Sequence, residues 1–139
     1  MQYLEAPEIR QKMEHIVKTL GMDTVDLERV ACFRSRGTST RRTIARCHGL
    51  PKVMQLGMKT KAFYVIELIS EKFDKLSEDD QTEVLIHELM HIPKNFGGGF
   101  RMHDYVCSHE VKRMHKLYKE RCGIIEPASP WAQLKSVFK

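Results

Sequence analysis

One ten-residue segment constrains this chain more than any other. It begins at Val84, ends at Pro93 and reads VLIHELMHIP. Residues four apart on an α-helix lie one above the other, so His87 and His91 can offer two imidazole nitrogens to one metal ion. Glu88 lies one step round the helix, where its carboxylate can reach a metal-bound water without being a ligand. The segment therefore predicts a helix that carries a metal site.

The residues around this segment predict where the helix begins and how it is buried. Ser77 is suited to cap the N-terminus, with Asp80 at the third helical position, and Pro93 cannot continue a helix. An apolar stripe is formed by Leu85, Ile86, Leu89, Met90 and Ile92. The two histidines project from the opposite side, so we expect core on one face and a cleft on the other. This arrangement counts against the alternative that both histidines are hydrogen-bonded core residues.

Composition predicts a single domain over residues 1–139. The chain has 139 residues and 42% hydrophobic content, enough for a substantial core. No apolar run reaches transmembrane length and no signal-peptide pattern is seen, so a cytoplasmic protein without membrane association is expected. The net charge of +5 permits an acidic partner, and no particular oligomeric state is predicted. Four widely spaced cysteines are expected to be reduced, with a Cys32–Cys47 bridge between neighbouring strands as the alternative.

The hydrophobic periodicity predicts an α+β fold. An N-terminal helix is expected within residues 1–21, with Pro7 in its first turn and Gly21 at its end. Strands are expected over residues 27–34, 43–48 and 62–69, with a shorter candidate over residues 53–56. Short linkers favour a small, mostly antiparallel sheet packed on the metal-site helix, with other helices flanking it.

The chain after the metal-site helix predicts a loop, a helix and a tail. The three glycines from Gly97 to Gly99 favour a loop that passes close to a metal or substrate, with a mobile surface loop as the alternative. Residues 103–121 are expected to form the last long helix, which Gly123 ends. Residues 123–139 are expected to form a tail that returns to the surface.

The order of strands, capped H-E-x-x-H helix, Gly-rich loop and further helix resembles the zincin metallopeptidases. More narrowly, the chain resembles the small metallopeptidases of archaea and phages, which are similar in layout to SprT-like zinc proteases. Four segments carry this likeness: FRSRG (33–37), YVIE (64–67), FDKLS (73–77) and HELMHIPKNF (87–96). The match extends from about Phe33 to His103. It departs from the metzincin pattern, because the position six after His91 is Gly97 rather than histidine.

The resemblance implies a minimal zincin-like domain that hydrolyses peptide bonds in a protein or peptide substrate. Zn²⁺ would be held by His87, His91 and a third ligand, His103, and Glu88 would act as the general base. Glu110 is a rival third ligand, because gluzincin-type sites take a glutamate from the following helix. His103 and Glu110 would lie about 10 Å apart along one helix, so they are not expected to share an ion.

The sequence also offers candidates for substrate alignment and for oxyanion stabilisation, and it leaves one non-catalytic function open. A strand near the cleft, within residues 64–68, is expected to align substrate by β-augmentation. The candidates for stabilising the oxyanion are Arg101, Tyr105 and His109. The alternative function is a zinc-stabilised, non-catalytic module that associates with DNA or acts in regulation. Its basis is the basic segment from Arg34 to Arg46, which could face phosphates, although basic surface strands are usually just solvated.

Overall fold

The computed structural model describes residues 1–38, 40, 42–100 and 106–125, and it has the predicted α+β architecture. A short 3₁₀ turn (Leu27–Arg29) leads into the second strand. The strands are β1 (Gln2–Glu5), β2 (Val30–Arg36), β3 (Ala45–Gly49) and β4 (Tyr64–Ile69). The helices are α1 (Pro7–Leu20), α2 (Lys52–Met58), α3 (Ser70–Phe73), α4 (Glu78–Met90) and α5 (Ser108–Ile125). Among the described helices, none is long and apolar enough to cross a membrane.

The four strands form one mixed sheet in the order β1-β2-β4-β3. The β1–β2 and β3–β4 pairs are antiparallel, whereas β2 and β4 run parallel. Strand β4 is therefore central, with a neighbour on each side. Within the described residues, β3 pairs with β4 alone and so forms an edge of the sheet.

One face of the sheet forms the core with the helices. Alternate residues of the central strand, Tyr64, Ile66 and Leu68, are fully buried on this face. Helix α1 packs against β2 and α5, and α4 packs against β3 and α5. Helix α1 buries the apolar residues that recur at helical spacing, namely Ile9, Met13, Ile16, Val17 and Leu20. Gly21 ends α1 in the left-handed conformation, with a φ of 65°, as predicted.

The structure corrects several predicted boundaries. Residues 53–56, the shorter strand candidate, lie in α2, which begins after Pro51 and buries Gln55 while its apolar side chains face outward. Residues 2–5 form β1, although the N-terminal segment was expected to be helical only. Helix α5 begins at Ser108, and Val106 and Cys107 before it are not helical. The helix continues past Gly123 to Ile125. A glycine within a helix costs only about 1 kcal/mol, so Gly123 does not have to end the helix.

The cysteines agree with the expectation of reduced thiols. All four lie in the described part of the chain and are free. Cys32 on β2 and Cys47 on β3 both align with Ile66, from opposite sides of β4. Two strand spacings separate them, about 9–10 Å, which exceeds the reach of a disulfide. The alternative of a Cys32–Cys47 bridge is therefore wrong.

The predicted cap of α4 is present and gives a stability prediction. The hydroxyl of Ser77 accepts a hydrogen bond from the backbone N–H of Asp80 at 3.1 Å. We expect Ser77→Ala to lower the free energy of unfolding by about 1 kcal/mol, because the helix loses a partner for one of its first N–H groups. Ser77→Gly is expected to lose only a few tenths of that amount, since glycine is tolerated at this position. Urea denaturation of both variants measures the difference, and equal losses would contradict the capping role.

Candidate metal centre

Helix α4 brings the motif residues to the boundary between core and cleft. It begins after Ser77 and ends at Met90, with His91 as the first residue beyond it. Leu85, Ile86 and Leu89 are fully buried in the core. The opposite side carries His87, whose ring lines a cleft. The predicted division of the helix into a core face and a cleft face is therefore observed.

The imidazoles of His87 and His91 lie side by side. Their Nε2 atoms are 3.1 Å apart and their ring centroids are 4.8 Å apart. Two histidine nitrogens bound to one tetrahedral zinc ion at about 2.0–2.1 Å would be about 3.3–3.4 Å apart. The observed spacing needs only a small adjustment to reach that value. The pair therefore fits two ligand positions of a zinc ion.

The carboxyl group of Glu88 is next to this pair but has a different environment. Its side chain lines the cleft, yet the residue is only 7% exposed. This burial raises the pKa of Glu88 to about 7, because the charged form loses its contact with water. The thiol of Cys47 is nearby; burial and the adjacent Glu88 raise its pKa to about 12. Glu88 is thus a carboxyl group that can gain or lose a proton near neutral pH, beside a thiol that stays protonated.

The cleft has a volume of about 660 Å³ and three walls. One wall is α4, from Asp80 to Glu88. The second is the segment that leads into the edge strand β3, from Arg42 to Ala45. The third is the start of α5, with Ser108 and Val111. An extended chain lying in this cleft would therefore run beside His87 and Glu88 on one side and a sheet edge on the other.

Glu110 does not join the two histidines. Its carboxylate accepts a hydrogen bond from the Arg113 guanidinium at 2.9 Å, and this contact lowers the pKa of Glu110 below its usual value. In residues 1–38, 40, 42–100 and 106–125, no three histidine, cysteine, aspartate or glutamate side chains are grouped so that they could hold a metal. Glu110 is partly exposed, and the residues that this part of α5 buries are Val111 and His115.

The remaining predicted site residues are not tested by these contacts. His103, Arg101 and Tyr105 lie outside the described residues. His109 is described; it is exposed and does not line the cleft. The assignment of His103 as a metal ligand therefore stays a prediction.

One pair of residues beside the cleft was not predicted. His115 is buried on α5, and its Nδ1 lies 2.8 Å from the carboxylate of Glu83. The hydrogen bond with His115 is the main cause that lowers the pKa of Glu83. Glu83 lies one turn before His87 and lines the cleft. Glu83 precedes His87 by four residues on one helix. This spacing was the sequence signal that could have placed Glu83 on the same face as His87.

The basic segment does not form a single surface. Arg34 aligns with Leu68 and Arg46 with Glu67, which are consecutive residues of β4, so the two arginines project from opposite faces of the sheet. Arg34 forms ion pairs with Glu8 and Asp74. Arg46 lies 4.0 Å from the buried Glu67. Arg41 lies outside the described residues. These contacts remove the main sequence argument for a phosphate-binding patch.

Comparison with known proteins gives one match. A family model described as "Putative phage metallopeptidase" matches residues 1–129. No curated protein and no solved structure matches the chain.

Proposed function

The chain belongs to this family of phage metallopeptidases, and from that premise we propose that it hydrolyses peptide bonds with a zinc ion held by His87, His91 and His103. The observation that carries the proposal is the pair of Nε2 atoms 3.1 Å apart, next to a buried carboxyl group in an open cleft. Family membership supports a metal-dependent peptidase. The choice of zinc, of these ligands and of Glu88 as the base is our inference from the local chemistry.

The donor set is chemically suited to zinc. Neutral imidazole nitrogens are common zinc ligands, and three protein ligands are typical of catalytic zinc sites. When bound, the ion supplies a Lewis acid that acidifies water and polarises a carbonyl group. The protein's part is to fix the two imidazoles. Helix α4 does this, because its fully buried apolar face prevents the helix from rotating.

Glu88 is suited to move the proton that peptide hydrolysis requires. An Oε atom of its carboxylate would accept a proton from the attacking water and then deliver that proton to the nitrogen of the leaving amine. A base is most effective when its pKa is close to the working pH, and burial raises the pKa of Glu88 to about 7. Glu88 can therefore serve as base and then as acid in one reaction.

The strand that we propose to align the substrate is β3, and it differs from the predicted strand within residues 64–68. Residues 64–68 lie in β4, whose two edges are already paired with β2 and β3, so this strand cannot accept a peptide. In the described part of the chain, β3 has a free edge, and the residues leading into it line the cleft. We propose that β3 binds an extended substrate through main-chain hydrogen bonds.

Metal content and activity test this proposal together. The purified full chain is expected to carry about one zinc ion per molecule. It is expected to cleave casein, to lose that activity with a chelator and to regain it with zinc. His91→Ala should lose both zinc and activity. His15→Ala is the matched control, because that imidazole is exposed on α1 and lies 2.7 Å from the Tyr118 hydroxyl, away from the motif residues and from β3. Absence of a stoichiometric transition metal, even after zinc supplementation, would refute the proposal.

A further inference from the structure

Helix α4 presents to the cleft one carboxylate that a buried partner holds in place. Asp80, Glu83, Val84 and His87 follow one another at helical spacing, so they share one face of the helix, and all four line the cleft. The Glu83 carboxylate accepts a hydrogen bond from Nδ1 of His115 at 2.8 Å, and His115 is buried on α5. This contact keeps the Glu83 side chain in one conformation.

The Glu83 carboxylate is charged and can accept a further hydrogen bond. The bond from His115 is the main cause that lowers the pKa of Glu83, so the group is ionised at neutral pH. Its Oε1 atom lies 3.4 Å from the amine of Lys112, whose side chain is 66% exposed. An ion pair with so exposed a partner contributes little and is easily exchanged. Because a carboxylate has about four acceptor positions, a substrate cation can join or replace Lys112.

The surroundings of this carboxylate include apolar groups. Apolar side chains from each of the three walls line the same cleft, namely Ile44, Ala45, Val84 and Val111. A lysine or arginine side chain matches this combination, because its methylene stem packs against apolar groups while its charged end bonds to a carboxylate. A purely aliphatic side chain would give the carboxylate no partner, and an acidic one would be repelled by it.

The opposite charge in the cleft is less well fixed. Arg42 is exposed, and among the described residues no ion pair or hydrogen bond holds its guanidinium group. Glu83, in contrast, is held by a buried imidazole. A group that is already held in its binding geometry loses less conformational freedom when a ligand binds. We therefore expect Glu83, and not Arg42, to dominate the choice of side chain.

The position of Glu83 on α4 indicates which substrate residue it contacts. Glu83 precedes His87 by four residues, which is about 6 Å along the helix axis. An extended peptide advances about 3.3 Å per residue, so about two residues span that distance. We infer that Glu83 is a specificity-determining residue: the cleft takes peptides with a lysine or arginine about two residues from the cleaved bond. This inference rests on the proposed peptidase function.

Peptides that differ in one side chain test this inference on the unaltered protein. A peptide that is cleaved at a known bond is made with lysine or with norleucine at each position within three residues of that bond. Norleucine keeps the apolar stem and lacks the ammonium group. At one of these positions we expect kcat/KM to be about 10-fold higher for lysine, because the charge-assisted hydrogen bond to Glu83 is lost with norleucine.

The substitution Glu83→Gln is expected to remove that preference. Glutamine has the same shape and its side-chain oxygen still accepts the hydrogen bond from His115, so the fold should be retained. The ratio of kcat/KM values for the lysine and norleucine peptides should then fall to about one. Glu120→Gln is the matched control, because it makes the same change at an exposed position of α5 that does not line the cleft. This control should keep the parent's preference.

Peptide binding gives a second readout that needs no catalysis. Fluorescence anisotropy of the labelled peptides should show about 10-fold tighter binding of the lysine peptide to Glu88→Gln, and no difference in the double variant with Glu83→Gln. Equal binding of both peptides to Glu88→Gln, or a preference that Glu83→Gln leaves unchanged, would overturn the inference. A preference for glutamate would also overturn it and would assign the selection to Arg42. If the parent cleaves no peptide, the proposed function fails, and the binding difference alone decides whether the cleft selects basic side chains.

Discussion

The substitution Glu88→Gln is expected to abolish most peptidase activity while zinc stays bound. Glutamine has nearly the same shape as glutamate, but its amide cannot accept the proton of the attacking water. The loss of a positioned general base typically lowers the rate by about 100- to 10,000-fold. The fold should be retained, because Glu88 is buried and burial disfavours its charged form, so a neutral amide of the same shape fits that environment.

Glu110→Gln is a suitable control for this experiment. It makes the same chemical change on α5, where the carboxylate is paired with Arg113 and not with the motif histidines. Casein cleavage and zinc content should be measured for both variants. If Glu88→Gln cleaves as fast as the parent, Glu88 is not the base. If it loses zinc, Glu88 acts on the metal more directly than we propose.

The zinc affinities of two alanine variants are expected to show that the third ligand is His103 and not Glu110. Removal of a direct ligand should weaken zinc binding by more than the roughly 10–100-fold that the loss of an outer partner causes, so His103→Ala should bind zinc very poorly. Glu110→Ala should bind it almost as well as the parent. The described contacts favour this ranking, because Glu110 pairs with Arg113 and is not grouped with His87 and His91.

The comparison requires a third variant, His109→Ala. His109 is an exposed histidine on the first turn of α5, so its removal controls for the loss of an imidazole near the proposed ligand. Zinc affinity of all three variants should be measured by competition with the same chelator. A larger loss for Glu110→Ala than for His103→Ala would identify a gluzincin-type site and refute our assignment.

The sequence predicted α4 well because the signals that specify it are local. Ser77 caps the helix through a residue three positions away, and the spacing of His87 and His91 follows from the geometry of one helical turn. The apolar stripe likewise needs only the helical period. Each of these features could be derived from about fifteen consecutive residues.

The features that the sequence did not predict depend on contacts between distant residues. Strand β1 exists because it pairs with β2, about 30 positions later, and its side chains are mostly exposed and show no periodicity. The parallel pairing of β2 and β4, which leaves β3 at the edge, also depends on long-range packing. The same holds within the site, where Glu83 bonds to His115, and in the Gly-rich loop, where Tyr64 bonds to the Gly98 backbone.

Helix α4 serves at once as a central part of the core and as the support of the proposed ligands. Leu85, Ile86 and Leu89 are fully buried on one face, and the imidazole pair lies on the other. Local openings of a protein begin at frayed ends and weakly packed loops, whereas a buried central helix opens only when the whole domain unfolds. The spacing of His87 and His91 should therefore persist through the ordinary fluctuations of the native state. The metal affinity that we propose and the global cooperativity of this small domain therefore depend on the same helix.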